Sequence, residues 1–441
     1  MIAGIPLPSS ELSTRTKQIR RSVVQNQMLF TAGYSLTTGG FLYYFMGALG
    51  AATWVLTVLL ALPEIVGVLA VLTPLALRLT ANRKRLFVAT SILARVCTCG
   101  IPLVVLLPEN WSKLSFLIGV LALQGIFQSI AYTAYLSWLS DLAPEKSWGR
   151  FFARRDIAKA LVLIFIPIAA AWLKDYLRDP ATTDSIEWTG YLIAFGIGNL
   201  LQLISLIPLL KWPAVEVNSE IAHQTAPTIP SMTDHPGYSM PGFLGILAFS
   251  WWLAFFQGMT QTAFFLHSYR ELQVSLTNYY LLTGLMYALQ MVTAAIAGQI
   301  GDRRGYRTML MLSTFAVSFA IPFWMFSLEG NWLWLWGAYA MWGLFGAVNL
   351  SLQNQLLIVT PRHRNTFQLA LCRQGAGLIA GLTGLAGGFW LEKQLGSSAQ
   401  IEWMSRKWNP FLMIFAVSFL GRLTAPLWLL LVPQEKMVTE Q

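Results

Sequence analysis

Apolar runs of about 20 residues recur along this chain, separated by short polar breaks. At 1.5 Å per residue, a helix of that length crosses the roughly 30 Å apolar layer of a bilayer. The runs fall at 27–49, 52–75, 86–107, 114–139, 156–175 and 189–211, and then at 241–266, 277–299, 308–328, 332–358, 367–391 and 409–432. In lipid no water is available to backbone amides and carbonyls, so each run must be helical or part of a closed barrel. Runs this long and continuously apolar predict helices. The expected fold is all-α and membrane-embedded, with twelve spans in two sets of six.

Composition excludes the rival classes. Of 441 residues, 55% are hydrophobic and 11% charged, against about 25% charged in soluble domains. The net charge of +10 does not indicate nucleic acid, because the basic residues sit in short blocks between apolar runs. The 18 tryptophans suit interfacial aromatic belts. Cys97, Cys99 and Cys372 all lie within predicted spans, which argues against a disulfide framework. No His, Cys or carboxylate spacing suggests a metal site, and no cofactor is expected. There is no nucleotide-binding P-loop and no Ser-His-Asp arrangement, so neither ATP-driven transport nor a membrane-embedded transferase is supported. No cleavage site follows the first apolar run, which reads as an uncleaved span.

Residues 212–240 are rich in Pro, Ser and Thr and lack apolar periodicity. They read as a linker between bundles at 1–211 and 241–441. Loops on the side of the N-terminus carry nineteen Lys and Arg, and the opposite loops carry seven. That asymmetry predicts a multi-pass protein of the plasma (inner) membrane with both termini cytoplasmic. Three weak matches between the halves recur at nearly one offset. Pro144 matches Pro361, Gly198-Asn199-Leu200 matches Gly421-Arg422-Leu423, and the basic loop 78–85 matches 302–309. Together they predict one six-helix unit used twice.

Between spans eight and nine stands Gly298-Gln299-Ile300-Gly301-Asp302-Arg303-Arg304-Gly305-Tyr306-Arg307. This resembles the Gly-x-x-x-Asp-Arg-x-Gly-x-Arg loop of the major facilitator superfamily. After span four, Asp141-Leu142-Ala143-Pro144 and Gly149-Arg150-Phe151-Phe152 resemble a segment of bacterial members without an assigned substrate. Gly298 is expected to let helices approach closely, Asp302 to cap the next helix, and Gly305 to supply a turn with positive φ. Arg303 and Arg307 are expected to meet carboxylates or helix C-termini. Asp141, Gly149 and Arg150 read as gating residues, with Asp141 pairing Arg150 or Arg154. The first-half loop departs from the pattern, with Arg78 where the Asp should stand.

The resemblance implies a secondary active transporter working by alternating access, with spans one, four, seven and ten lining a central cavity. Those spans carry polar side chains at helical spacing: Tyr34, Thr37 and Thr38; Gln124, Gln128, Tyr132 and Tyr135; Gln257 and Gln261; Trp342, Asn349 and Gln353. Amides and hydroxyls suit a small polar organic solute, although they also serve interhelical hydrogen bonding. Glu64, Arg95, Lys159 and Arg373 are ionisable groups inside spans and hence coupling or ion-pair candidates, with protons a candidate coupling ion. Arg422 is expected to snorkel. Glu64 and Arg95 lie at similar depth on consecutive spans and are expected to pair. Expected partners are a solute and the bilayer, with the chain acting as a monomer. A transporter-like receptor or assembly factor stays open as the alternative.

Single cysteines at Asn82 and Asn110, in a Cys-free background, should label from opposite sides with an impermeant maleimide; equal labelling overturns the topology.

Overall fold

In a computed structural model, residues 9–80, 82–108, 112–142, 148–177, 187–212, 240–360, 366–396, 401–403 and 406–433 are described. Ten helices among them are long and apolar enough to cross a membrane: Thr53–Thr80, Arg83–Leu106, Lys113–Tyr135, Arg155–Tyr176, Thr189–Leu210, Met240–Glu271, Leu276–Gly301, Tyr306–Phe326, Gln368–Gly396 and Pro410–Leu431. The two further expected spans, the first and the tenth, are present but interrupted. Span one runs Ser9–Thr37 and Gly40–Ala48, and span ten runs Trp334–Trp342 and Phe345–Val359. Span one also begins earlier than its apolar run, at Ser9. An antiparallel two-stranded ladder, Ile401–Trp403 with Arg406–Trp408, lies between spans eleven and twelve.

Helix ends follow local chemistry. The Asn82 carboxamide oxygen accepts from the Arg85 amide at 3.0 Å and starts span three, and Ser275 accepts from the Asn278 amide at 3.2 Å to start span eight. Asn409 caps span twelve, with Pro410 in the first turn. The Lys84 ammonium donates to the Leu210 carbonyl at 2.7 Å, placing a cation at the C-terminal end of span six. Gly39, at φ 59°, breaks span one just after Thr37 and Thr38, whose hydroxyls turn back onto helix carbonyls. In span two, Pro63 lies inside the helix and a 3-10 stretch follows at Val68–Leu72.

Packing divides the chain into two compact units, Met1–Leu42 with Leu69–Ala226, and Tyr43–Val68 with Pro227–Gln441. The division in span two coincides with its 3-10 stretch, and that in span one falls within four residues of Gly39. The first unit packs Val23, Leu86, Phe87, Ala134 and Trp138 with Leu206 and Leu209. The second packs Phe249 and Leu253 with Leu310, Val317, Val348 and Leu429. Side chains such as Leu79, Phe165 and Trp172 stay exposed, as a lipid-facing surface requires.

Within each unit, spans meet at small residues. In the first, a Cβ on Gly198 would lie 2.8 Å from the Gly33 carbonyl oxygen, so spans one and six cross nearly backbone to backbone. In the second, the Phe256 ring lies against Gly421, where spans seven and twelve cross. Phe256 follows Gly33 by 223 residues, and Gly421 follows Gly198 by the same number. The repeat therefore extends to the crossing point itself.

Span eleven, Thr366–Gly396, carries the densest set of glycines. Gly377, Gly381 and Gly388 face span two: an added Cβ would lie 2.9 Å from Glu64 Oε2 at Gly377, 2.6 Å from Ile65 Cγ1 at Gly381, and against Thr57 at Gly388. Gly387 faces the Met259 carbonyl on span seven, and Gly258 of span seven faces the Ala380 carbonyl in return. Span eleven is thus held closely against both neighbours. Gly258→Ala should cost about 1–3 kcal/mol because a backbone carbonyl cannot yield. Gly384→Ala, whose nearest neighbour would be at 3.4 Å, should be close to neutral. Melting of the purified variants checks this, and the reverse order overturns it.

Candidate functional site

The polar residues of each unit divide into those consumed by packing and those left free. In the first unit, Thr37 is fully buried and accepts from Gln202 Nε2 at 2.8 Å, and Thr38 donates to the Tyr34 carbonyl at 2.6 Å. Tyr34 stacks on Phe30 at 5.5 Å. Tyr135 is buried, its ring 5.3 Å from Phe87. The Thr37 and Thr38 hydroxyls serve helix packing, whereas the buried Tyr135 hydroxyl has no hydrogen-bond partner among the described residues. On span four, Gln124, Gln128 and Tyr132 repeat every four residues along one face, running from buried Gln124 to exposed Tyr132. Neither the Gln124 nor the Gln128 amide has a protein hydrogen-bond partner among the described residues.

In the second unit, Asn349 and Gln353 are exposed one turn apart on span ten, and Gln257 is half-buried on span seven. Their amides also lack protein partners among the described residues. Gln261 is used, donating to the Leu60 carbonyl at 3.3 Å. Trp342 belongs to an aromatic cluster with Phe264 at 5.1 Å, Trp324 at 5.5 Å and Tyr339 at 5.0 Å. Both interrupted spans carry these candidates beside their breaks, Thr37 and Thr38 before Gly39 and Trp342 before Gly343. Discontinuous spans are where transporters present polar groups at membrane depth.

The expected Glu64–Arg95 pair does not form. Glu64 lies on the part of span two that belongs to the second unit, where its carboxylate meets Gly377, four residues after Arg373 on span eleven. Arg95 turns into the first unit, donating to Ser205 Oγ at 3.2 Å with its guanidinium 5.7 Å from the Phe30 ring centre. Their expected depths lie within about one helical turn of each other, but the two side chains leave their helices toward different neighbours. Arg422 does not snorkel either. It is 3% exposed and donates to Ser418 Oγ at 3.0 Å, Thr260 Oγ1 at 2.8 Å and the Phe256 carbonyl at 3.3 Å. Lys159 is exposed on span five.

The loop between spans eight and nine keeps part of its expected geometry. Gly305 has φ 85°, and its amide donates to the Gly301 carbonyl at 2.9 Å, ending span eight. Arg303 and Arg304 lie in that helix's last turn. The N-cap of the next helix is Gly305, so Asp302 does not hold that position. Close approach is not needed at Gly298, where an added Cβ would meet Leu350 at an ordinary 3.5 Å. It is needed at Gly301, beneath the Tyr306 ring at 2.5 Å. Pro144 lies outside the described residues, as do the side chains of Asp302, Asp141, Arg150 and Arg154, while Gly149 stands in the first turn of the helix Trp148–Tyr176.

Several residues stood outside the sequence reading. Asn26 donates to the Ser205 carbonyl at 2.6 Å and Asn199 to the Thr98 carbonyl at 3.3 Å, joining spans one, three and six. Arg270 sits in a π-helical turn, His267–Glu271, at the end of span seven. Its guanidinium donates to the Ala51 carbonyl at 2.9 Å and Thr53 Oγ1 at 3.0 Å, while Tyr44 donates to the Val274 carbonyl at 2.7 Å. These bonds hold one end of the segment that carries Glu64, and the glycines of span eleven hold its length. Glycines at 377, 381, 384 and 388, spaced by four, three and four, were the available signal.

The profile of the Major Facilitator Superfamily matches residues 23–366. Among solved structures, a D-xylose-proton symporter is 13% identical, with a TM-score of 0.67 over 97% of this chain and 100% of that one. The xylose transporter XylE from E. coli, inward open, is 13% identical with a TM-score of 0.64 over 96% and 98%. A bacterial homologue of the iron transporter ferroportin is 16% identical with a TM-score of 0.63 over 94% and 98%. At these identities the likeness is one of fold, twelve helices in two repeats. Comparison with curated proteins gives no match.

Arg270→Ala removes both bonds to residues 51 and 53, a loss of about 1–3 kcal/mol if their partners stay buried. Amide exchange over residues 45–55 should quicken about tenfold or more while span twelve keeps its protection; unchanged protection at 45–55 overturns that role.

Proposed function

This chain belongs to the Major Facilitator Superfamily, and we propose that it moves a small polar organic solute recognised by amides free of protein partners. It is a multi-pass secondary transporter. One observation carries the choice of solute: Gln124 and Gln128 in the first unit, and Gln257, Asn349 and Gln353 in the second, have no protein partner among the described residues. A polar group left unsatisfied at membrane depth is costly, so such amides are retained where a ligand or water meets them. Amides donate and accept in equal measure, which favours neutral, hydroxyl- or amide-bearing solutes.

Coupling is assigned to Glu64. It is a carboxylate within a span, against Gly377 of the helix that also carries Arg373, on a segment bounded by helix interruptions. Proton uptake there would weaken the attraction to Arg373, linking protonation to how this segment packs. One structural neighbour is a D-xylose-proton symporter, so the fold supports such coupling in at least one case. The bundles at 1–211 and 241–441, with the linker at 212–240, complete the reading. Both termini face the cytoplasm from the inner membrane, as the nineteen-to-seven asymmetry supports, and one chain suffices for transport. The 298–307 loop and the turn with Asp141, Gly149 and Arg150 serve gating.

Proteoliposomes containing only this protein, loaded with sugars, amino acids or nucleosides, test the proposal. Counterflow of at least one solute is expected; counterflow of none overturns it. For that solute, Gln128→Ala or Gln353→Ala should weaken binding about tenfold, near 1.4 kcal/mol. Glu64→Gln should abolish uptake driven by a pH gradient yet retain counterflow. If Glu64→Gln still accumulates solute under a pH gradient, the coupling assignment falls and the solute assignment stands.

A further inference from the structure

We infer that the solute is a zwitterion of α-amino acid size, held in the second unit between Glu64 of span two and Arg373 of span eleven. This deepens the solute reading above and rests on it. Both side chains are exposed within their spans. Neither holds a hydrogen bond or an ion pair with the protein among the described residues. An exposed charge inside a span faces water rather than lipid. Span eleven leaves room for it, since an added Cβ at Gly377 would stand 2.9 Å from Glu64 Oε2.

Contacts among three helices set the register around that opening. Spans two and eleven run antiparallel, because Thr57 meets Gly388 while Glu64 meets Gly377. At the next level Gln374 Oε1 is the nearest neighbour of Gly67, 3.9 Å from where a Cβ would be. Spans seven and eleven run parallel, because Trp251 meets Gly375 while Met259 meets Gly387. Gln261 of span seven donates to the Leu60 carbonyl at 3.3 Å. One turn further along, Gln257 and Glu64 therefore share a level. The amides of Gln257 and Gln374 have no protein partner among the described residues.

A carboxylate, a guanidinium and two amides thus stand unbonded at neighbouring levels of one unit. Arg373 precedes Gly377 by four residues, which is about 6 Å along the helix axis. In an α-amino acid the ammonium nitrogen lies about 2.5 Å from the carboxylate carbon. With a charge-assisted hydrogen bond of about 2.8 Å at each end, such a solute bridges groups roughly 6–8 Å apart. Its ammonium meets Glu64 and its carboxylate meets Arg373, while the amides take the remaining polar groups. A hydroxyl-only solute would leave both charges unpaired, and a simple cation or anion would leave one.

The test is counterflow in proteoliposomes with the standard amino acids, their α-amides, their N-acetyl derivatives, sugars and nucleosides. At least one free amino acid should exchange. Its α-amide and its N-acetyl derivative, each keeping one charge, should compete for the site about tenfold or more less well. Arg373→Gln should weaken binding of that amino acid about tenfold yet change competition by its α-amide less than about twofold, a split that a merely structural arginine does not give. Exchange of a sugar or nucleoside but of no amino acid overturns this inference and leaves the solute reading standing; exchange of nothing overturns both. Equal competition by either derivative also overturns it, and that comparison needs only the wild-type chain should Arg373→Gln fail to fold.

Discussion

Close backbone approach at glycine and other small residues is the interaction on which the rest of this structure depends. In lipid, apolar side chains gain nothing by leaving one hydrocarbon surface for another, so spans associate through dispersion and hydrogen bonding at short range. Span eleven meets this requirement on two sides. Gly377, Gly381 and Gly388 admit span two, while Gly387 and the facing Gly258 admit span seven. That approach brings Glu64 to Gly377, near Arg373. Side chains with a Cβ at these positions would hold the helices apart.

Polar residues within the bundles then do two separable jobs. Thr37 and Thr260, separated by 223 residues, each accept from a side chain of the span that crosses theirs, Gln202 in one unit and Arg422 in the other. The crossing is preserved between the repeats, while the donor differs in type and lies one turn apart, since Arg422 matches Asn199 and not Gln202. Such pins use up hydrogen-bonding capacity inside the protein. The amides of Gln128, Asn349 and Gln353 have no protein partner among the described residues, and this difference separates scaffold from candidate site more sharply than residue type does.

Secondary transport by alternating access needs stiff spans that also yield at defined places. Several helices here are interrupted. Gly39 breaks span one, the 3-10 stretch Val68–Leu72 breaks span two, and the intervening residues pack with the second unit although the chain reaches them early. At the end of span seven, the π turn redirects the chain so that Arg270 reaches residues 51 and 53. The last two depart from the regular helical ladder without giving up bonding: the Val68 amide donates to the Ile65 carbonyl, and the Leu272 amide to the His267 carbonyl at 2.9 Å.

The length of the apolar runs determined the number of spans, because lipid forces each to satisfy its own backbone. The caps at Asn82, Ser275 and Asn409, and the positive φ of Gly305, were equally local and follow from neighbouring residues alone. The glycine spacing of span eleven was legible too, but spacing does not say which helix will fill the groove. Depth in the membrane could be counted along the sequence, and it placed Glu64 and Arg95 within about one helical turn of each other. Direction around the helix axis relative to a neighbour could not, because consecutive spans need not present matching faces. Only tertiary packing decided that Glu64 faces span eleven, that Arg95 faces span six, that Arg422 is enclosed, and that Thr37 and Trp342 are packed while Gln128 and Gln353 are free. Those outcomes depend on the rotation and contact of whole helices, which many distant residues set together.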